Sequence, residues 1–87
     1  MAGRLFDVWY VPRGRRRQRE KVCVTMDLSS VRTWAFEILQ ERVKEQYGNG
    51  RILSHGMRSK IEVTDRPGDH VVWSIRFDGK ETGSLGG

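Results

Sequence analysis

Lys21-Val22-Cys23-Val24-Thr25-Met26-Asp27-Leu28-Ser29-Ser30-Val31 contains the change of period that decides the fold. Up to Asp27 the residues alternate as in a half-buried strand, with Val22, Val24 and Met26 on one side and Lys21, Cys23, Thr25 and Asp27 on the other. From Val31 onward the apolar residues recur at helical spacing, through Trp34, Ala35, Ile38, Leu39 and Val43 to Tyr47. Asp27 stands at the junction, where a carboxylate accepts hydrogen bonds from the free amides of a helix start. With Asp27 as cap, Met26 and Val31 occupy the two positions of a hydrophobic staple. Gly48 and Gly50 supply the positive-φ positions that end a helix.

Working outward, Leu5-Phe6-Asp7-Val8-Trp9-Tyr10-Val11 is rich in aromatic and β-branched residues and reads as a strand ending at Pro12. It pairs with the strand at Lys21 as an antiparallel hairpin with its tip at residues 12–21. Beyond the helix, Arg51-Ile52-Leu53 reads as a short strand, and Ile61 and Val63 alternate with Lys60, Glu62 and Thr64 in the next. Asp65-Arg66-Pro67-Gly68-Asp69 is a turn, with glycine available for a reversed φ. It leads into a strand where Val71, Trp73, Ile75 and Phe77 share a face.

The predicted fold class is α+β: a mostly antiparallel sheet with one α-helix on one face, in the order β-β-α-β-β, with an extra short strand where Arg51-Ile52-Leu53 pairs. Val22, Val24, Met26, Ile61, Val63, Val71, Trp73, Ile75 and Phe77 are expected to meet the helix. Residues 1–78 form one domain, and residues 79–87 are expected to be a flexible, glycine-rich tail.

The chain has 87 residues, and its formal charge of +5 is unevenly distributed. Arg13–Lys21 alone contributes six basic residues against one acidic, while residues 28–87 are near neutral. The excess is a local cluster, an electrostatic handle on an ordinary domain. One cysteine, Cys23, excludes an internal disulfide framework and fits a reducing compartment. Without a long apolar run, neither a membrane span nor a secretion signal is expected, and the predicted location is cytoplasmic.

No arrangement of residues suits catalysis. Cys23 has no neighbouring base, and His55 and His70 lack ligand-like spacing. Glu37, Glu41 and Glu45 share a helix face that solvent accounts for, and Gly48-Asn49-Gly50 lacks the lysine and hydroxyl of a phosphate-binding loop. The expectation is a protein that is not an enzyme and uses neither metal nor cofactor.

Binding chemistry is concentrated in Arg13, Arg15, Arg16, Arg17, Arg19 and Lys21. Guanidinium groups are always charged, repel one another without counter-charge, and form paired hydrogen bonds to phosphate. The expected partner is nucleic acid, DNA or RNA, met along its phosphate backbone with little sequence specificity. Arg4, Arg51 and Arg58 are candidate supporting contacts. Trp9 is either sheet packing or a base-stacking ring. An acidic protein surface and a merely solvated loop are the other readings of the turn. The helix arc is broad, so Phe36 and Tyr47 are covered either by the domain itself or by a dimer or protein partner.

In the order of its elements the chain resembles small phage anti-CRISPR proteins. The Phe6–Val11 strand, the helix opening Leu28-Ser29-Ser30-Val31-Arg32, and the Trp73–Phe77 strand followed by Asp78-Gly79-Lys80 carry the likeness. That resemblance implies a non-enzymatic phage or mobile-element inhibitor that blocks the nucleic-acid path of a host protein–nucleic acid complex. In outline the first hairpin, the helix and the terminal Gly86-Gly87 are also similar to ubiquitin-like β-grasp modifiers, which would imply conjugation through Gly87.

Overall fold

The computed structural model describes residues 4–12, 16–48, 58–66 and 68–85. Its strands are β1 (Phe6–Val11), β2 (Glu20–Thr25), β3 (Lys60–Asp65), β4 (Val71–Arg76) and β5 (Glu81–Gly83), with one helix, α1 (Val31–Tyr47), between β2 and β3. All pairings are antiparallel, and the sheet order is β2-β1-β3-β4-β5. The expected α+β class and β-β-α-β-β order are therefore present. Arg51-Ile52-Leu53, the candidate extra strand, lies outside the described residues, as do Gly50 and Gly86-Gly87.

The helix boundaries follow local chemistry. Asp27 caps as expected, its carboxylate accepting from the Ser29 amide at 3.0 Å, but the turn it caps is a 3-10 segment, Leu28–Ser30, which hands over to α1. Gly48 ends α1 at φ +68°, donating its amide to the Lys44 carbonyl at 2.9 Å. Val31, Ala35, Leu39 and Val43, each four residues from the next, form the fully buried line of α1. They pack with Phe6, Val8, Tyr10, Ile61, Val63, Trp73 and Ile75 from the sheet.

Two register shifts change which side chains face the helix. Val8 pairs with Cys23 but Trp9 pairs with Lys21, so Val22 is the extra residue of a bulge. Cys23 and Thr25 consequently lie on the helix side, opposite Val8 and Phe6, while Val24 pairs with Asp7 on the other face. The expectation that Val24 and Met26 enter the core is overturned: they are 43% and 64% exposed. A second shift makes Val72 the extra residue of β4, and Val71 faces away from the helix opposite Thr64, 45% exposed. An alternation rule applied across a bulge inverts every later side chain.

Residues 79–87 are also not wholly a tail outside the sheet, because Glu81–Gly83 pairs with β4 as β5. Two contacts explain why it docks. The fully buried Trp73 needs a partner for its indole N–H and donates to Glu81 Oε1 at 2.9 Å. Ser74 and Thr82 hydroxyls meet at 2.6 Å. Gly83, at φ +79°, leaves room that a Cβ would take from the Val72 carbonyl.

Candidate nucleic-acid interface

The helix covers one face of the sheet, and the candidate binding residues assemble on the other. Reading the register across the strands gives the rows of this helix-free face. One row runs Val24, Asp7, Thr64, Val71; the next runs Lys21, Trp9, Glu62, Ser74, Thr82. Asp7, Glu62, Thr64 and Ser74 are all buried although no helix covers them. Arginine and lysine side chains lie against the two carboxylates, Arg66 and Lys21 on Asp7 and Arg16 and Lys60 on Glu62. Thr64 bonds to Trp9 and Ser74 to Thr82.

Arg16 opens a 3-10 turn, Arg16–Gln18, whose Arg16 carbonyl accepts the Arg19 amide at 3.2 Å. This turn brings the basic side chains back over the strands. Arg16 Nε donates to Glu62 Oε1 at 3.1 Å, and Lys60 Nζ reaches the other carboxylate oxygen at 3.1 Å. Arg19 lies over the Trp9 ring, 3.9 Å from its centroid, and donates to Asp69 Oδ2 at 3.1 Å. Lys21 sits 5.1 Å from the same ring and 3.4 Å from Asp7 Oδ1. Trp9 donates its indole N–H to Thr64 Oγ1 at 2.8 Å. Of the two sequence readings of Trp9, sheet packing describes its surroundings: the ring is half-buried and Arg19 occupies one side of it.

Asp7 is the second anchor. It accepts two hydrogen bonds from Arg66, Nη2 at 2.7 Å and Nε at 3.1 Å, a paired geometry that fixes the guanidinium plane. The Arg66 hydrogen bonds hold the Asp7 carboxyl below its usual range, against the opposing effect of burial. Arg19 does the same for Asp69. Asp69 itself carries the turn's positive φ, +55°, where glycine had been expected to serve. Aspartate tolerates that region, and its carboxylate is then placed for Arg19.

Among the described residues of the basic turn, Arg16, Arg19 and Lys21 are therefore each provided with counter-charge on the domain. Six cations (Arg16, Arg17, Arg19, Lys21, Lys60, Arg66) stand against three acids (Asp7, Glu62, Asp69), leaving a formal excess of three. Arg17 makes no ion pair among the described residues. Together Arg16, Arg17 and Arg19 line an open depression of about 340 Å³. Arg19 Nη1 is buried and has no hydrogen-bond partner among the described residues.

The other candidates are dispersed. Arg13, Arg15 and Arg51 lie outside the described residues. Arg4 is at the far end of β1, bonded to Asp65 at 3.0 Å and set over Phe6, and Arg58 is exposed. Phe36 stacks on Phe77 at 6.2 Å between centroids, and both Phe36 and Tyr47 pack half-buried against the core. Cys23 is half-buried, and burial raises its thiol pKa, which suits a packed thiol better than a nucleophile. Among the described residues no group of three or more histidine, cysteine or acidic side chains is placed to hold a metal, and no helix is long and apolar enough to cross a membrane.

Reading the sequence did not single out Asp7, Glu62, Lys60 or Arg66 as part of the site. The signal for three of them was present: Lys60 and Glu62 alternate with Ile61 and Val63, and Asp7 alternates with Phe6 and Val8. Arg66 is placed by the turn, which alternation does not describe. Comparisons with family models, curated proteins and solved structures return no match to this chain.

Proposed function

We propose that the protein acts by binding nucleic acid, holding backbone phosphates at the Arg16–Arg17–Arg19 end of its helix-free sheet face. The observation that carries this reading is the open depression lined by those three arginines, with Arg19 fixed on Trp9 and Arg17 in no ion pair among the described residues. A phosphate supplies the anion that an unpaired guanidinium such as that of Arg17 lacks. Holding the cations in place before binding lowers the ordering cost of association. Contacts of this kind recognise charge and spacing rather than base identity.

About three phosphate contacts predict a logarithmic salt slope near −2 to −3. Fluorescence anisotropy of labelled DNA and RNA across a salt series measures it. Replacing Arg16, Arg17 and Arg19 with glutamine should abolish most binding and flatten the slope. Salt-independent binding that survives this replacement would refute the reading.

A further inference from the structure

Resting on that reading, we infer that the ligand is a single strand, whose bases lie against the row of the sheet next to the phosphate-holding arginines. The helix-free face changes character from one row to the next. The row holding Lys21, Trp9 and Glu62 is overlaid by cations. The adjoining row, two residues along β1 and hence about 7 Å away, presents Val24 and Val71 at 43% and 45% exposure. Between these valines the Arg66 guanidinium rests on Asp7 through two hydrogen bonds. Leu5, 38% exposed, precedes β1 at the same end.

Paired with a carboxylate, Arg66 has spent its charge on Asp7 and offers a fixed planar group instead. A planar guanidinium is a platform on which an unpaired base stacks. Flanking aliphatic side chains suit the apolar faces of bases and contribute nothing toward the phosphates of a duplex. A duplex keeps its base faces inside the stack, so only a single strand offers both phosphates and bases to adjoining rows. The cation-covered row, and the row with a valine at each end and the Arg66 plane between them, match the two parts of a nucleotide.

The test compares a labelled 12-nucleotide oligothymidylate with a 12-base-pair duplex by anisotropy at several salt concentrations. The single strand should bind on the order of tenfold tighter, the effect of one or two stacked bases. Arg66→Lys keeps a cation beside Asp7 but loses the plane, and should lower single-strand affinity several-fold more than duplex affinity while leaving the salt slope unchanged. Val24→Thr with Val71→Thr preserves strand-forming residues and should act the same way, so the inference does not hang on one variant's folding. Equal affinity for strand and duplex, or no effect of either variant, overturns this inference and leaves phosphate binding standing. Binding to neither ligand overturns both. Self-association in sedimentation that the double valine variant removes, with single-strand affinity unchanged, assigns the face to a protein contact and also overturns it.

Discussion

Arg19 covers one side of Trp9, with its guanidinium carbon 3.9 Å from the ring centroid and its Nη2 bonded to Asp69 3.1 Å away. This relationship turns an arginine in a loop into a fixed part of a sheet surface. Its side chain is 20% exposed, so the cation–π contact is partly desolvated, in the range of about 1–2 kcal/mol. Arg19→Met keeps much of the apolar stem and removes the charge. The variant should lose about 1–2 kcal/mol in urea unfolding. Acrylamide quenching, measured in a Trp34→Phe background so that the half-buried Trp34 does not contribute, should also rise as the Trp9 ring is uncovered, since Trp73 is fully buried and contributes little. Unchanged quenching and stability would mean that the stack is not maintained in solution.

Gly83 should be irreplaceable by alanine. Its φ of +79° is unfavourable for any L side chain, and a Cβ would collide with the Val72 carbonyl. The expected loss for Gly83→Ala is about 1–3 kcal/mol locally. It should appear as accelerated amide exchange at Ser84, whose N–H donates to Val72, and in the Trp73–Glu81 neighbourhood, with the centre of the sheet protected as before. Uniform acceleration across β1 and β3 would show instead that β5 is part of the global folding unit.

These two sites show why parts of the structure were legible in the sequence and others were not. The helix was legible because Asp27, the Val31–Val43 spacing and Gly48 are local signals, and each does locally what its chemistry requires. The β3–β4 hairpin was legible for the same reason. The bulges at Val22 and Val72 were not, since nothing in Val22-Cys23-Val24 announces that one residue will be skipped by the partner strand. Asp78-Gly79, a strong hairpin dipeptide, was available as a sign of β5, and the glycine-rich composition around it masked that sign. The basic cluster was legible as charge. Its counter-charge was not, because Glu62 and Asp69 lie 46 and 50 residues away from Arg16 and Arg19.

Asp7 should give the protein a specific sensitivity to acid. Hydrogen bonds and charge from Arg66, with charge from Lys21, depress its pKa when folded. At pH values around and below the ordinary value of 3.8 the unfolded chain then binds more protons than the folded one. The Asp7 contribution is therefore present above that value and is lost as pH falls through the folded pKa. Chemical denaturation at pH 6, 4 and 3 measures the loss. Asp7→Asn should be less stable at pH 6 and should show a smaller further loss on acidification. An identical acid response in wild type and variant would remove Asp7 from the explanation.

Glu62 occupies Arg16 and Lys60, and under the proposed phosphate-binding role this gives a prediction of opposite sign for stability and binding. The carboxylate is 2% exposed and held by both cations at 3.1 Å, while Arg16 itself is 47% exposed. Because one partner faces water, the pair is discounted to about 0.2–1 kcal/mol of attraction. Glu62→Gln removes the charge while keeping the shape of the side chain, so Arg16 and Lys60 are released toward an incoming anion. The variant should melt lower yet bind nucleic acid about twofold to fivefold tighter. Its salt slope should also steepen, because a cation formerly neutralised within the protein now displaces a counterion from the ligand. Anisotropy and thermal melting on the same preparation separate the two effects. Lower stability with weaker binding would mean that Glu62 shapes the arginine turn rather than competing for its charge.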